Sequence, residues 1–365
     1  MLKREHLRKV SIICWFAILT SFGLVHVSQA MAEVIDLKFA NYYPPPAPQS
    51  KICEEFIKDL EARTSGQVKV RYFPGGSLLK GPTMIKGVES GIADIGLAHI
   101  QYTAGRMPVS EVNDLPHGFP SVWVSTRVVN DFYNKYRPKE WANVQPLILF
   151  TNSPSILITD TPVAKLEDLQ GLTIRAPGPI GEVIRALGGT PAPTPIVETY
   201  DAIAKGVVNG AFVSPEAVRT FRFAEVAKHI TMSWNVGSSY TFFLVMNKKK
   251  YDALPLEVKE VLNRLVGEYK ERMPVMWNAI DIGGIEYARQ MGVQFADFTS
   301  EEAGRWMERA TPVIENYVEK MKTKGYSESE VREWLAFIKE RTEYWSAKQV
   351  ALRIKTATGT EEMLD

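Results

Sequence analysis

Asp168-Leu-Gln-Gly-Leu-Thr-Ile-Arg-Ala-Pro-Gly178 holds a turn, a strand and a breaker in eleven residues. Leu172 and Ile174 alternate with Thr173 and Arg175, which is the period of a strand, and Pro177-Gly178 stops it. Arg175 then stands near the C-terminal end of a strand, where open α/β sheets place their ligands. Its guanidinium is a planar fork that suits a carboxylate through two parallel hydrogen bonds. Spacing alone leaves a second possibility open: an arginine on an exposed strand face, tied to a surface carboxylate in a contact of little energy.

Outward from this stretch, strands and helices alternate. Residues 179–187 read as a helix ended by Gly188-Gly189. Thr194 is predicted to cap the next helix, with Pro195 at its first position and Tyr200, Ile203 and Val207 on one stripe. A strand follows at 211–213. Upstream, strands are predicted at 34–40, 68–73 and 92–98, with helices at 49–64 and 82–91 between them. Two βαβ units in so short a stretch indicate a mostly parallel sheet covered by helices. Further strands are predicted at 146–150 and 155–159. Phe242-Phe-Leu-Val-Met246 is wholly apolar and suits the centre of a buried sheet. A long helical region at 256–291 carries Val258, Val261, Leu262, Leu265 and Tyr269 on one stripe, and Pro274 is expected to kink it. Thr299-Ser-Glu-Glu302 and Ser327-Glu-Ser-Glu330 read as capping boxes that open two C-terminal helices. There is no repeat and no long low-complexity linker.

The 365 residues suffice for two domains, and 45% apolar with 23% charged residues is an ordinary globular composition. A formal net charge of +1 argues against a nucleic-acid partner. Lys3, Arg4, Arg8 and Lys9 precede an apolar run from Ile12 to Val27, and Ser28-Gln-Ala30 is a small-x-small cleavage signal. Residues 1–30 therefore read as a secretory signal peptide, with cleavage after residue 32 as the other option. The run is short for an anchor. Losing four basic residues and Glu5 takes the formal charge from +1 to −2. Cys14 leaves with the signal peptide, and Ser11-Ile-Ile before it makes a poor lipobox. Cys53 alone remains, so no internal disulfide can form. Its helical spacing with Phe56, Ile57 and Leu60 marks a buried small hydrophobe.

Asp168-Leu-x-Gly-Leu-x-Ile-Arg175, a helix, and Gly189-Thr-Pro-Ala-Pro-Thr194 resemble the substrate-binding subunits of TRAP transporters, the dicarboxylate-binding, DctP-type family of periplasmic solute-binding proteins. The resemblance covers nearly the whole mature chain. It is strongest from Asp168 to Gly210 and at Val245-Met-Asn-Lys248, and weakest after Gly292. It implies an α/β, two-lobed periplasmic binding protein fold with mostly parallel sheets, hinge strands and a long helix spanning both lobes. By analogy, lobe one comprises residues 33–153 and 240–283, and lobe two residues 154–239 and 284–365. In that family the arginine matching Arg175 holds the substrate carboxylate.

The resemblance also supplies candidate contacts. Tyr42 and Tyr43 follow the first strand, where the first lobe presents side chains to the cleft; packing beside Pro44-Pro-Pro46 is their alternative role. His99 follows the third strand at a position used for a polar contact, and its ordinary pKa makes pH-sensitive binding an expectation; a structural histidine is the alternative. Ser155 stands where sialic-acid-type relatives carry a second arginine; its lack here argues against a second strong carboxylate anchor, and for a monocarboxylate or a ligand whose other end is apolar or hydroxylated. Phe212, Val213 and Ser214 lie on another contact segment, with Ser214-Pro-Glu216 offering a hydroxyl or a carboxylate and Phe212 equally suited to the core. Trp234 and Tyr240 precede the crossing strand, where hinge packing is the competing role.

No Gly-x-Ser-x-Gly, His-Glu-x-x-His, phosphate loop or dinucleotide fingerprint is present, and the three mature histidines, His99, His117 and His229, have no metal-site spacing. The resemblance implies a periplasmic binding subunit without cofactor, not an enzyme. Such a subunit captures a small organic acid by lobe closure and delivers it to membrane permease subunits. Aromatic residues near an arginine suit an aromatic, branched or keto acid. Two other readings stay open: an exported enzyme acting on a small acid, and a sensor-linked binding protein. An ABC-type binding protein shares the fold class, but the 168–178 pattern and the long helix disfavour it.

Overall fold

The structure, a computed structural model, describes residues 34–296 and 298–364. The predicted signal segment and both cleavage options lie outside these residues. In chain order the strands are β1 (Ile35–Asn41), β2 (Val68–Phe73), β3 (Ile95–His99), β4 (Val144–Thr151), β5 (Ile156–Thr159), β6 (Thr173–Arg175), β7 (Thr190–Ala192), β8 (Gly210–Val213), β9 (His229–Thr231), β10 (Thr241–Asn247) and β11 (Gln294–Phe295). They form two sheets, ordered β2-β1-β3-β10-β4 and β11-β9-β5-β8-β6-β7. The result is an α/β, two-lobed molecule with one sheet in each lobe.

Both sheets are mixed. β1 pairs with β3 in parallel, Phe39 opposite Ile95, and β6 is parallel to β7 and β8. These are the local βαβ units that the apolar periods indicate. β10 is antiparallel to β3 and β4, and β5 is antiparallel to β8 and β9. β5 and β10 are the strands reached by crossing from the other sheet, so the antiparallel pairing marks the crossings. All seven residues of β10 are buried, as its unbroken apolar run requires of a central strand.

The segments between β4 and β5 and between β9 and β10 run side by side. Ser155 N–H and Ser155 Oγ both donate to the Ser238 carbonyl, at 3.2 and 2.9 Å, and Tyr240 N–H donates to Asn152 Oδ1 at 2.5 Å. A helix at Leu256–Gln290 makes the third connection. It packs on helices Pro48–Arg63 and Val122–Tyr136 beside the first sheet, and on Ala217–Thr220 beside the second. Tyr269 hydroxyl donates to Asp59 at 2.9 Å near its start. Pro274 lies inside this helix, which continues as one element on either side of it.

Several local expectations change. The helix Val122–Tyr136 is not among the expected elements; Ser121 Oγ caps it by accepting from Val124 N–H at 3.2 Å. Thr194 caps nothing: the helix after β7 spans Ile196–Ala204 with Pro195 as its cap residue, and the Thr194 carbonyl is used elsewhere. Val207 falls beyond that helix and is exposed, because the Gly206 turn carries it away from the stripe of Ile203. Thr299 and Ser327 do cap their helices, accepting from Glu302 and Glu330 N–H. Glu302 does not close the box; it accepts from Leu166 N–H at 2.8 Å and from Trp306 Nε1 at 3.0 Å.

The helix Glu328–Ala351, grouped with lobe two by analogy, packs on Val122–Tyr136 beside the first sheet. Asp131 holds it there, accepting from Arg341 Nε at 2.8 Å and Trp345 Nε1 at 2.7 Å. Cys53 is buried and free. Among the described residues, no helix is long and apolar enough to cross a membrane, and no group of three or more His, Cys, Asp or Glu is placed to hold a metal ion.

Candidate functional site

Strand ends from both sheets meet at one small cavity. β6 ends at Arg175, and β8 ends at Val213 with Ser214 beyond it. From the first sheet come Tyr42 and Tyr43, just after β1, and His99 at the end of β3. Tyr240, at the approach to β10, completes the set of expected residues that line the cavity. Counting the part open to solvent, the space within it is about 260 Å³. The lobes touch beside it. Gly178, at φ +57°, lies so near Gln101 that an added Cβ would sit 2.7 Å from Gln101 Oε1. Ile196 N–H points at the Tyr102 hydroxyl at 3.4 Å.

Arg175 is fully buried. Its Nε donates to the Thr194 carbonyl at 2.9 Å, so the Pro-Thr-Pro segment after β7 aims the side chain. Nη1 reaches the Tyr240 hydroxyl at 3.4 Å, and that hydroxyl donates to the Phe212 carbonyl at 2.8 Å. Nη2 is buried with no hydrogen-bond partner, and none of the ion pairs among the described residues involves Arg175. A buried cation without counter-charge or full hydrogen bonding is costly, so the place beside Nη2 suits an anion.

Aromatic rings line the same cavity. The rings of Tyr42 and Tyr43 lie 4.4 Å apart, and Tyr43 stacks with Phe242 at 6.4 Å and 27°. His99 lies 3.8 Å from Tyr102 and 5.3 Å from Tyr240. Burial pushes the phenols of Tyr42, Tyr43 and Tyr240 above the ordinary tyrosine range, so all three remain neutral. Burial, aided by the Arg175 charge, holds His99 well below the ordinary imidazole range. The neutral form of His99 is thereby favoured. Its Nδ1 has no partner.

Glu216 also lines the cavity. Burial raises its carboxyl to about 7, against the pull of Thr220, Gln49 and Ser214. Its N–H donates to Asp281 Oδ1 at 2.8 Å, and Asp281 Oδ2 accepts from Ser153 Oγ at 2.6 Å. The long helix thus ties this wall to a crossing segment. It passes so closely that a Cβ on Gly284 would sit 2.3 Å from the Pro215 carbonyl oxygen.

Three expected contacts do not line the cavity. Ser155 is committed to the Ser238 carbonyl, and Phe212 is wholly buried core whose carbonyl serves Tyr240. Trp234 sits in the short turn Trp234–Val236, away from the wall. Glu216, offered by the Ser214-Pro-Glu216 turn, and Phe242, at the entry to β10, line it as well, and Asn152 and Ile196 line it without being among the expected contacts. A wider surface groove of about 1480 Å³ lies between helices Ile180–Ala186 and Ser300–Thr323. Two of its arginines pair in water, Arg185 with Glu182 and Arg305 with Glu167, in contacts of little energy.

The family model for DctP, described as bacterial extracellular solute-binding protein, family 7, matches residues 39–321. The C4-dicarboxylate-binding periplasmic protein DctP of Rhodobacter capsulatus is 26% identical over 309 residues, 83% of this chain and 92% of that protein. Among solved structures, a TRAP periplasmic solute binding protein from Desulfovibrio salexigens, an open complex, is 32% identical with a TM-score of 0.74. The match covers 86% of this chain and 97% of that one. A TRAP solute binding protein from Rhodoferax ferrireducens, in complex with copurified benzoate, is 23% identical with a TM-score of 0.80, covering 86% and 99%.

Proposed function

The chain belongs to the DctP family of bacterial extracellular solute-binding proteins, and on that premise we propose that it captures a small monocarboxylate between its lobes, with Arg175 holding the carboxylate. It is a binding protein of the TRAP type rather than an enzyme. The observation that carries the ligand assignment is Arg175 Nη2, buried and unpartnered at the cavity wall. A carboxylate there would complete a bidentate pair in a place that excludes water, where such pairs are strong.

The ligand is small and carries a flat or apolar body. Tyr42, Tyr43, His99, Tyr240 and Phe242 offer ring faces and edges, and the enclosed volume is modest. Among the described residues the cavity wall carries one cation, Arg175, which favours one carboxylate over two. The Rhodoferax relative with copurified benzoate is compatible with this choice. Binding closes the lobes about the paired crossing segments and the long helix. Export by residues 1–30 brings the mature chain to the periplasm, and the closed form delivers its ligand to membrane permease subunits.

Native mass spectrometry of the mature protein as purified, repeated after denaturation, tests the proposal together with Arg175→Ala. A single released organic acid is expected from the wild type. The variant is expected to fold and to lose about 3–5 kcal/mol of binding, more than a hundredfold in affinity. Unchanged carboxylate affinity in the variant would overturn the role of Arg175.

A further inference from the structure

We infer that the ligand carries, apart from its carboxylate, a hydroxyl group that donates to Glu216 Oε2 and lies beside Ser214. The inference rests on the carboxylate reading of Arg175 and deepens it.

Glu216 Oε2 is buried and has no hydrogen-bond partner, while Oε1 meets Ser214 Oγ only at 3.5 Å. Gln49, behind it in the helix Pro48–Arg63, is 1% exposed and lies close enough to act on this carboxyl, as Thr220 does, but makes no well-formed hydrogen bond to it. Native interiors seldom leave a carboxyl oxygen unmet, and one on a cavity wall is a place for a polar guest. Glu216 and Arg175 line the same cavity, and no ion pair joins them among the described residues.

The chemistry selects the guest. A second carboxylate would meet Glu216 with no cation beside it. An apolar end would leave Oε2 dry and unbonded. An ammonium would bring a second cation into a cavity whose wall already carries the Arg175 guanidinium. A neutral hydroxyl satisfies both protonation states, donating to the carboxylate or accepting from the acid, and Ser214 Oγ completes its second bond.

Calorimetry on the mature protein with matched probes decides it: benzoate against 3-hydroxybenzoate, 3-methylbutanoate against 3-hydroxy-3-methylbutanoate, and isophthalate as the dicarboxylate. In at least one pair the hydroxylated member should bind about tenfold tighter, and isophthalate should bind worse than benzoate. Glu216→Leu should erase the hydroxyl advantage while the plain acid still binds; Glu216→Gln, which keeps an acceptor, should retain part of it. No advantage in the wild type overturns the inference whether or not the variants fold. An advantage that survives intact in a folded Glu216→Leu also overturns it. Arg175→Ala, run on the same panel, separates the two readings. If its affinity falls while Glu216→Leu changes nothing, only the hydroxyl inference fails. If Arg175→Ala binds every probe as the wild type does, the carboxylate reading fails as well.

Discussion

Tyr240 shows how much of the site depends on a single hydroxyl. It receives Arg175 Nη1 at 3.4 Å and donates to the Phe212 carbonyl at 2.8 Å, fixing one edge of the guanidinium to the floor of β8. Tyr240→Phe keeps the ring but leaves the buried carbonyl unpaired. Stability should fall by about 1–3 kcal/mol, measured by urea unfolding, and ligand affinity should fall less than in Arg175→Ala. At this scale the sequence discloses residues whose type is unusual for their place. Arg175 ends a short alternating strand at a Pro-Gly breaker, and Tyr42-Tyr43 stands between a strand and a run of prolines, so both are visible. Glu216 is visible only as one option of the Ser-Pro-Glu turn, and Asn152 lies in a crossing segment with no period. Ser155 and Phe212 lie off the cavity wall, since a polar residue beside a strand and an aromatic residue within one are as suited to hinge and core as to a ligand.

Among the elements, the helix Leu256–Gln290 does the most to place the site. Its apolar stripe and its length are plain in the sequence. What is not plain is that Gly284 lets it press on Pro215 and Glu216, or that Asp281 holds the Glu216 N–H and Ser153 together. Those depend on which lobe the chain has returned to, and no local pattern encodes that. Gly284→Ala places a methyl carbon against the Pro215 carbonyl, so the segment bearing Glu216 must shift. A loss of about 1–3 kcal/mol in stability is expected, with weaker ligand binding by calorimetry and little change in helix content by circular dichroism. The antiparallel setting of β5 and β10 and the docking of Glu328–Ala351 on Val122–Tyr136 escape the sequence for the same reason. Both are consequences of crossing between lobes.

For the whole molecule, the buried titratable groups set how stability responds to pH. Burial raises Glu216 and Asp114 each to about 7, and raises Asp281 as well. Raised carboxyls bind protons more readily folded than unfolded. Their contribution is therefore full below the ordinary carboxylate range and is lost as pH rises through about 7. His99 and His117 act in the opposite sense, being held below their ordinary value, His117 at about 4. Their contribution vanishes as acid takes the pH below 6.5. The window from about 6.5 to 8 therefore isolates the carboxyls, and the ligand-free melting temperature should fall across it by several degrees. A melting temperature that rises over this window would contradict the buried, near-neutral state of these groups.

The unpartnered Nη2 of Arg175 has a further consequence for the transport cycle. Shutting the lobes without cargo means enclosing a cation that nothing neutralises. At a penalty of about 3 kcal/mol, an empty molecule would be shut only about one time in 150. A carboxylate removes that penalty as it arrives. Under the proposed function the guanidinium would serve as an inspection step as well as a handle: an unladen carrier would seldom present the shut shape, and membrane subunits would be spared futile docking.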